Sequence, residues 1–178
     1  GMRSLENRLS FGAELGSLMW FHDEKEAKAI YLGVTSDFRR LLFEFDNQMN
    51  QITAAEESEE AETDDHSPVS FIFGGGGSKA NIERKLQKAL EMRQSIALSL
   101  AEHEPDMALS FYYDSITAIT NKDFVNRAKD RDSGFEVQLM SQVAETNAAK
   151  AAQFGAKALD KGFNYQHLEL LKKIYGKD

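Results

Sequence analysis

Cysteine is missing from this chain altogether. Its absence excludes disulfides, thiolate metal sites and a cysteine nucleophile, and it fits a reducing compartment. Proline occurs only twice, as Pro68 and Pro105, which favours long helices over a sandwich with many turns. No apolar run approaches the ~20 residues that a membrane-spanning helix needs. No signal-peptide pattern opens the chain, so the expected setting is cytoplasmic, with no membrane partner. An excess of positive charge is lacking as well. The formal net charge is −8 and the isoelectric point about 5.1. A net anion is repelled by nucleic acid and by anionic lipid, so neither is an expected partner.

What the chain does have is helix-forming residues in periodic patterns. Its 178 residues suit one domain with a core large enough to need no staples. Over residues 3–22 the apolar positions Leu5, Leu9, Phe11, Leu15, Leu18, Met19, Trp20 and Phe21 fit a helix imperfectly. Gly12 and Gly16 weaken it by about 1 kcal/mol each relative to Ala. Asp23 with Glu26 resembles a capping box and predicts a short helix over 24–32 that stops at Gly33. A short strand over 29–32 is the rival reading. Ser36 then predicts a new helix start. Phe38, Leu41, Leu42, Phe45, Met49 and Ile52 make one helical face, which Phe43 widens, to about Thr53.

Residues 54–66 hold seven acidic side chains and no basic one; such a block either solvates itself as a loop or extends the helix before it. Ser70-Phe71-Ile72-Phe73 then runs into four consecutive glycines, Gly74 to Gly77, followed by Ser78 and Lys79. The segment 69–73 reads as one short extended piece or as an apolar plug. The amphipathic helix over 79–100 buries Ile82, Leu86, Ala89, Leu90, Ala97 and Leu100, with Arg84, Lys85, Lys88 and Arg93 expected on its outer side. Pro105 suits the first position of the next helix, which would carry Leu109, Tyr112, Ile116 and Ile119; a strand over 110–113 is again the rival. A turn at 120–123, a short helix over 124–131, a break at Asp132-Ser133-Gly134 and a long helix over 135–161 follow. Gly162 reads as a stop, and a last helix begins at Asn164.

Motifs that would carry chemistry are scarce. Extended segment, glycines and helix start together make a plausible anion cradle, because free backbone N–H groups point outward there. Gly75, Gly76, Gly77, Ser78 and Lys79 are therefore the candidate ligand-binding residues. The phosphate-binding loop pattern is not met, since Ser78 precedes Lys79 and the glycine-to-lysine spacing is one residue short. The histidines, His22, His66, His103 and His167, include no pair spaced for one helix face. Neither Glu-x-x-His nor His-Glu-x-x-His occurs. Asp130 to Gly134 departs from a calcium loop at its glycine and at Ser141. No nucleophile elbow is present. No catalytic residue, metal ligand or cofactor is assigned.

These observations predict an all-α fold: an irregular bundle of about six helices with one short extended segment near residues 69–73. It would form a single helical domain over 1–178, with an acidic and glycine-rich connection at 54–78. The expected function is a non-enzymatic protein-interaction module whose partner is another protein or itself, as a homo-oligomer. Trp20, Phe21, Phe71, Phe73, Phe111 and Tyr113 exceed what single helical stripes require and are candidates for a contact patch. The alternative is a small-ligand or phosphate-binding protein or enzyme using the glycine loop 74–79 at a helix N-terminus. The acidic run at 56–65 and the basic side of the helix after it read first as two solvated faces; the rival reading is that the acidic run folds back over the basic side.

Overall fold

The computed structural model describes residues 2–62 and 75–159. Six helices make up these residues: α1 (Met2–Met19), α2 (Glu24–Glu62), α3 (Gly75–Ala101), α4 (Pro105–Asp114), α5 (Lys122–Thr146) and α6 (Ala148–Leu159). Among the described residues there is no strand, so both rival strand readings, over 29–32 and 110–113, give way to helix. The fold is all-α, as the periodicity predicts. The segment 69–73, the stop at Gly162 and the helix expected from Asn164 lie outside the described residues.

The helix α2 is the beam of the bundle. Its 39 residues extend about 58 Å. Two helices separated near Gly33 and Ser36 were expected there. Instead Ala27, Tyr31, Val34, Phe38, Leu41, Leu42, Phe45 and Met49 form one uninterrupted buried face. Each larger apolar side chain on that face gains about 1.5–3 kcal/mol by burial, against about 1 kcal/mol for an interior glycine. Gly33 and Ser36 fall on the exposed side and the helix runs through them. Asp23 caps its start, its Oδ1 accepting from the Glu26 amide at 3.0 Å. The acidic run continues α2 as far as Glu62.

A similar balance joins the two helices expected over 124–131 and 135–161. Phe124, Ala128, Phe135, Leu139, Met140 and Val143 are buried along α5, whereas Gly134 is exposed. The break falls later, at Asn147, whose backbone (φ −151, ψ 88) leaves the helix. Its Oδ1 accepts from the Lys150 amide at 3.0 Å and so starts α6.

Packing of α1 against α2 explains the two glycines that sequence reasoning counted as a weakness. A Cβ on Gly12 would lie 2.8 Å from Val34 Cγ2, and one on Gly16 would lie 2.8 Å from the Tyr31 ring. Leu5, Leu9, Gly12 and Gly16 share one face of α1, and the glycines let the backbone approach α2 closely. Arg8 and Asp37 tie the same pair together, with Nε 2.9 Å from Oδ2.

Two buried polar clusters lock the remaining elements. Asp46, 3 % exposed, accepts from the Thr120 amide (3.1 Å), the Thr120 hydroxyl (2.8 Å) and the Asn121 amide (2.8 Å). It thereby pins the α4–α5 connection to α2. Asn121 in turn caps α5 by accepting from the Phe124 amide at 3.1 Å. The second cluster is centred on Arg93, expected on the outer side of α3 but only 1 % exposed. Its Nε donates to the Tyr112 carbonyl and the Ser115 hydroxyl, both at 3.0 Å, and its Nη1 donates to Asp132 at 2.9 Å. The guanidinium lies 3.8 Å from the centroid of the Tyr112 ring. Carbonyls in the last turn of a helix attract cations, so this arginine holds the end of α4 against α3 and α5. One contiguous apolar cluster draws on all six helices.

Candidate interaction face

Tyr31 sets the geometry between α1 and α3. Its ring lies against Gly16, and its hydroxyl donates to the Ala13 carbonyl at 3.3 Å and meets the Ser99 hydroxyl at 2.9 Å. Burial raises its pKa, partly offset by the hydrogen bonds to Ser99 and Ser17. Tyr31 thus spans from α1 to α3 beneath the surface. Above it the facing side chains are small: Ser10, Ala13 and Ser17 on α1, Ser95 and Ser99 on α3. They leave a groove with two hollows. One, about 410 Å³, is lined by Ala13, Ser17, Leu18, Ser95, Ile96 and Ser99. The other, about 360 Å³, is lined by Ser10, Ala13, Lys88, Met92, Ser95 and Ile96. Glu14 borders both.

Leu18, which lines the first hollow, shares an exposed apolar face of α1 with Phe11. Phe11 and Leu18 are each 66 % exposed. They stand seven residues apart, hence on one face of α1, facing away from the buried Leu5–Leu9 side. At the end of α1, Trp20 stacks on His103 with ring centroids 4.9 Å apart and planes 13° apart, and Phe21 meets the edge of the same imidazole at 5.5 Å. Phe21 nonetheless remains 79 % exposed. Lys28 closes this end with ion pairs to Glu24 and Glu104, each 2.7 Å. Those two carboxylates, Glu104 first, raise the lysine pKa.

Charge on the groove is mixed. Glu14 and Lys88 border the same hollow, and neither has an ion pair among the described residues. Glu91 on the α3 side is paired with Arg131 at 3.1 Å.

The aromatic side chains singled out in the sequence divide. Phe111 is buried, Tyr113 and Trp20 pack against the core, and Phe21 is exposed; Phe71 and Phe73 lie outside the described residues. Phe43, assigned to a core face, is 58 % exposed on α2. Gly75, Gly76, Gly77, Ser78 and Lys79 belong to the opening turns of α3 itself rather than to a loop before it. A helix start alone specifies no ligand. Sequence reasoning missed the groove because it is made by what α1 and α3 lack. The legible signal was small residues at helical spacing, Ser10, Ala13 and Ser17, with Ser95 and Ser99 on the second helix. Among the described residues no helix is long and apolar enough to cross a membrane, and no three or more His, Asp or Glu side chains are grouped as metal ligands. Compared with known protein families, curated proteins and solved structures, the chain matches none.

Proposed function

We propose that this chain is a non-enzymatic protein-interaction module that receives another helix in the α1–α3 groove. The observation that carries the reading is the pairing of a mainly apolar groove, with Leu18 at its wall, and an exposed Phe11 on the same face of α1. A groove of this kind accepts the apolar anchors of an amphipathic helix at i, i+3/i+4 and i+7 spacing. Exposed phenylalanine and leucine beside it raise the apolar area that such a partner covers. The serines on both walls supply hydroxyls that can bond within their own helix and so leave the groove apolar in character.

The test uses an amphipathic helical peptide with leucine on one face and lysine and glutamate on the other. Titrated into isotope-labelled protein, it is expected to perturb backbone amides of residues 10–18 and 88–99 and to leave those around Asp46 unchanged. Perturbations confined to α5, or none at saturating peptide, contradict the reading.

A further inference from the structure

We infer that the partner for the α1–α3 groove is a second copy of this chain, with α1 of each copy lying in the groove of the other. This inference rests on the interaction reading above and adds the identity of the partner.

The argument is one of self-complementarity. The face carries both the receptor and the ligand. Its receptor is the pair of hollows; its ligand is the pair of exposed side chains, Phe11 and Leu18. Two hollows lie in succession along the groove, one bordered by Ser10 and Lys88, the other by Ser17, Leu18 and Ser99. Seven residues of helix rise about 10.5 Å, so Phe11 and Leu18 stand at successive levels of the same groove. Leu18 itself lines the hollow at Ser17, and Phe11, two turns earlier on the same face of α1, is exposed at the level of Ser10 without lining a hollow.

A two-fold axis running along the groove keeps every level opposite its own level. Helix α1 of one copy then runs parallel to α1 of the other and rests between α1 and α3. Phe11 enters the partner's lower hollow and Leu18 its upper one. A two-fold axis across the groove would instead set Phe11 and Leu18 against those of the other copy. Closed two-fold pairing of this isologous kind is the commonest form of homo-oligomer.

Charge follows the same geometry. Glu14 on α1 and Lys88 on α3 border one hollow and lack ion pairs among the described residues. In the parallel arrangement Glu14 of each copy comes to Lys88 of the other, giving two symmetric pairs; Glu91, the other carboxylate at that hollow, is already neutralised by Arg131 at 3.1 Å. Across the other axis, Glu14 would approach Glu14.

The size of the face sets the strength. Helix α1 has 18 residues and is about 27 Å long. One helix laid in a groove falls below the roughly 800 Å² per partner of a standard stable interface. The expected dimer is therefore weak and reversible, populated at high micromolar protein rather than at nanomolar.

Sedimentation equilibrium from low micromolar to near-millimolar concentration tests this, with three proteins. The native chain is expected to move from monomer to dimer. Phe11→Ser/Leu18→Ser removes the ligand, and Ser95→Trp fills the receptor. Ser95 is exposed, as are Phe11 and Leu18, so helix content is expected to stay native by circular dichroism. Each variant is expected to weaken dimerisation roughly tenfold or more. A native chain that stays monomeric throughout, while the amphipathic peptide still perturbs α1 and α3, overturns self-pairing and leaves the interaction reading standing. A monomer that also ignores the peptide overturns both. A dimer that neither variant weakens overturns the assignment to this face.

Discussion

Gly12, Gly16, Gly33 and Gly134 separate cleanly by what surrounds them. An added Cβ at Gly33 or Gly134 meets nothing within 4 Å, so only the helix propensity of glycine counts there. Gly33→Ala and Gly134→Ala are each expected to raise stability by about 0.5–1 kcal/mol, read as an increased urea midpoint. At Gly12 and Gly16 the added carbon meets Val34 and the Tyr31 ring at 2.8 Å. Overpacking of this kind costs about 1–3 kcal/mol, which outweighs the propensity gain, so Gly16→Ala is expected to lower the midpoint. Sequence alone assigned the same penalty to Gly12, Gly16 and any interior glycine. It had no means of knowing which ones faced another helix.

Arg93 illustrates the same limit. Its neighbours in sequence, Arg84, Lys85 and Lys88, are exposed or half-buried, and a charge pattern groups all four. Only the three-dimensional arrangement sets Arg93 against the end of α4 and Asp132. Arg93→Met leaves the buried Asp132 carboxylate without its cation, while the Tyr112 carbonyl keeps the Ser115 hydroxyl at 3.1 Å, at an expected cost of about 3–5 kcal/mol. Adding Asp132→Asn is expected to cost less than the sum of the single changes, because the two side chains act as one unit. A double-mutant cycle in urea measures that coupling; strict additivity contradicts it.

For whole elements, the sequence revealed helix type well and helix ends poorly. Every described helix coincides with a predicted apolar periodicity. Pro105 opens α4 as expected, and Asp23 caps α2. Breaks were misplaced where a glycine or a capping residue lay on the exposed side of a continuous buried stripe, at Gly33, Ser36 and Gly134. The expected end of the fourth helix also moved. Ile116 and Ile119 still pack against the core, but the chain turns after Asp114 because Asp46 collects the amides of Thr120 and Asn121. Nothing local to residues 115–121 announces a carboxylate from α2. Asp46→Ala is expected to destabilise by about 1–3 kcal/mol, the cost of leaving those buried donors unpaired, and to accelerate hydrogen exchange at the start of α5.

Alkaline pH tests the packing of α4 against α5. Burial, followed by the charges of Glu136 and Asp132, pushes Tyr113 up to about 12. Burial and Asp132 push Tyr112 up as well. In the unfolded chain these phenols ionise near 10. A folded pKa above the unfolded one means that the stabilisation is complete below pH about 10 and is lost as pH rises through about 12. Stability is therefore expected to fall between those limits, with Tyr113→Phe flattening the fall. An unchanged slope in that variant contradicts the assignment.

At the scale of the molecule, one apolar cluster organises the six described helices, and that much was present in the periodicity. The candidate site was not. Tyr31 from α2 bridges α1 and α3 beneath it, small residues of α1 and α3 together with Ile96 line it, and Leu18 stands at one end. Single-helix patterns treat Phe11 and Leu18 as further core positions, because they cannot tell which side of α1 the rest of the bundle occupies. The five glycine-loop residues fall instead in the opening turns of α3. Small, charged and apolar groups converge only where two helices are seen together.

Because the chain contains no cysteine, the central claim can be tested by swapped cross-linking. One preparation carries Glu14→Cys and the other Lys88→Cys, at two positions that border the same hollow. Parallel pairing of α1 in the partner's groove predicts that, under mild oxidation, the mixture forms a disulfide-linked heterodimer faster than either preparation forms a homodimer. Faster linkage of Glu14→Cys to itself, or no linkage in the mixture at concentrations where the native chain is dimeric, would contradict the account.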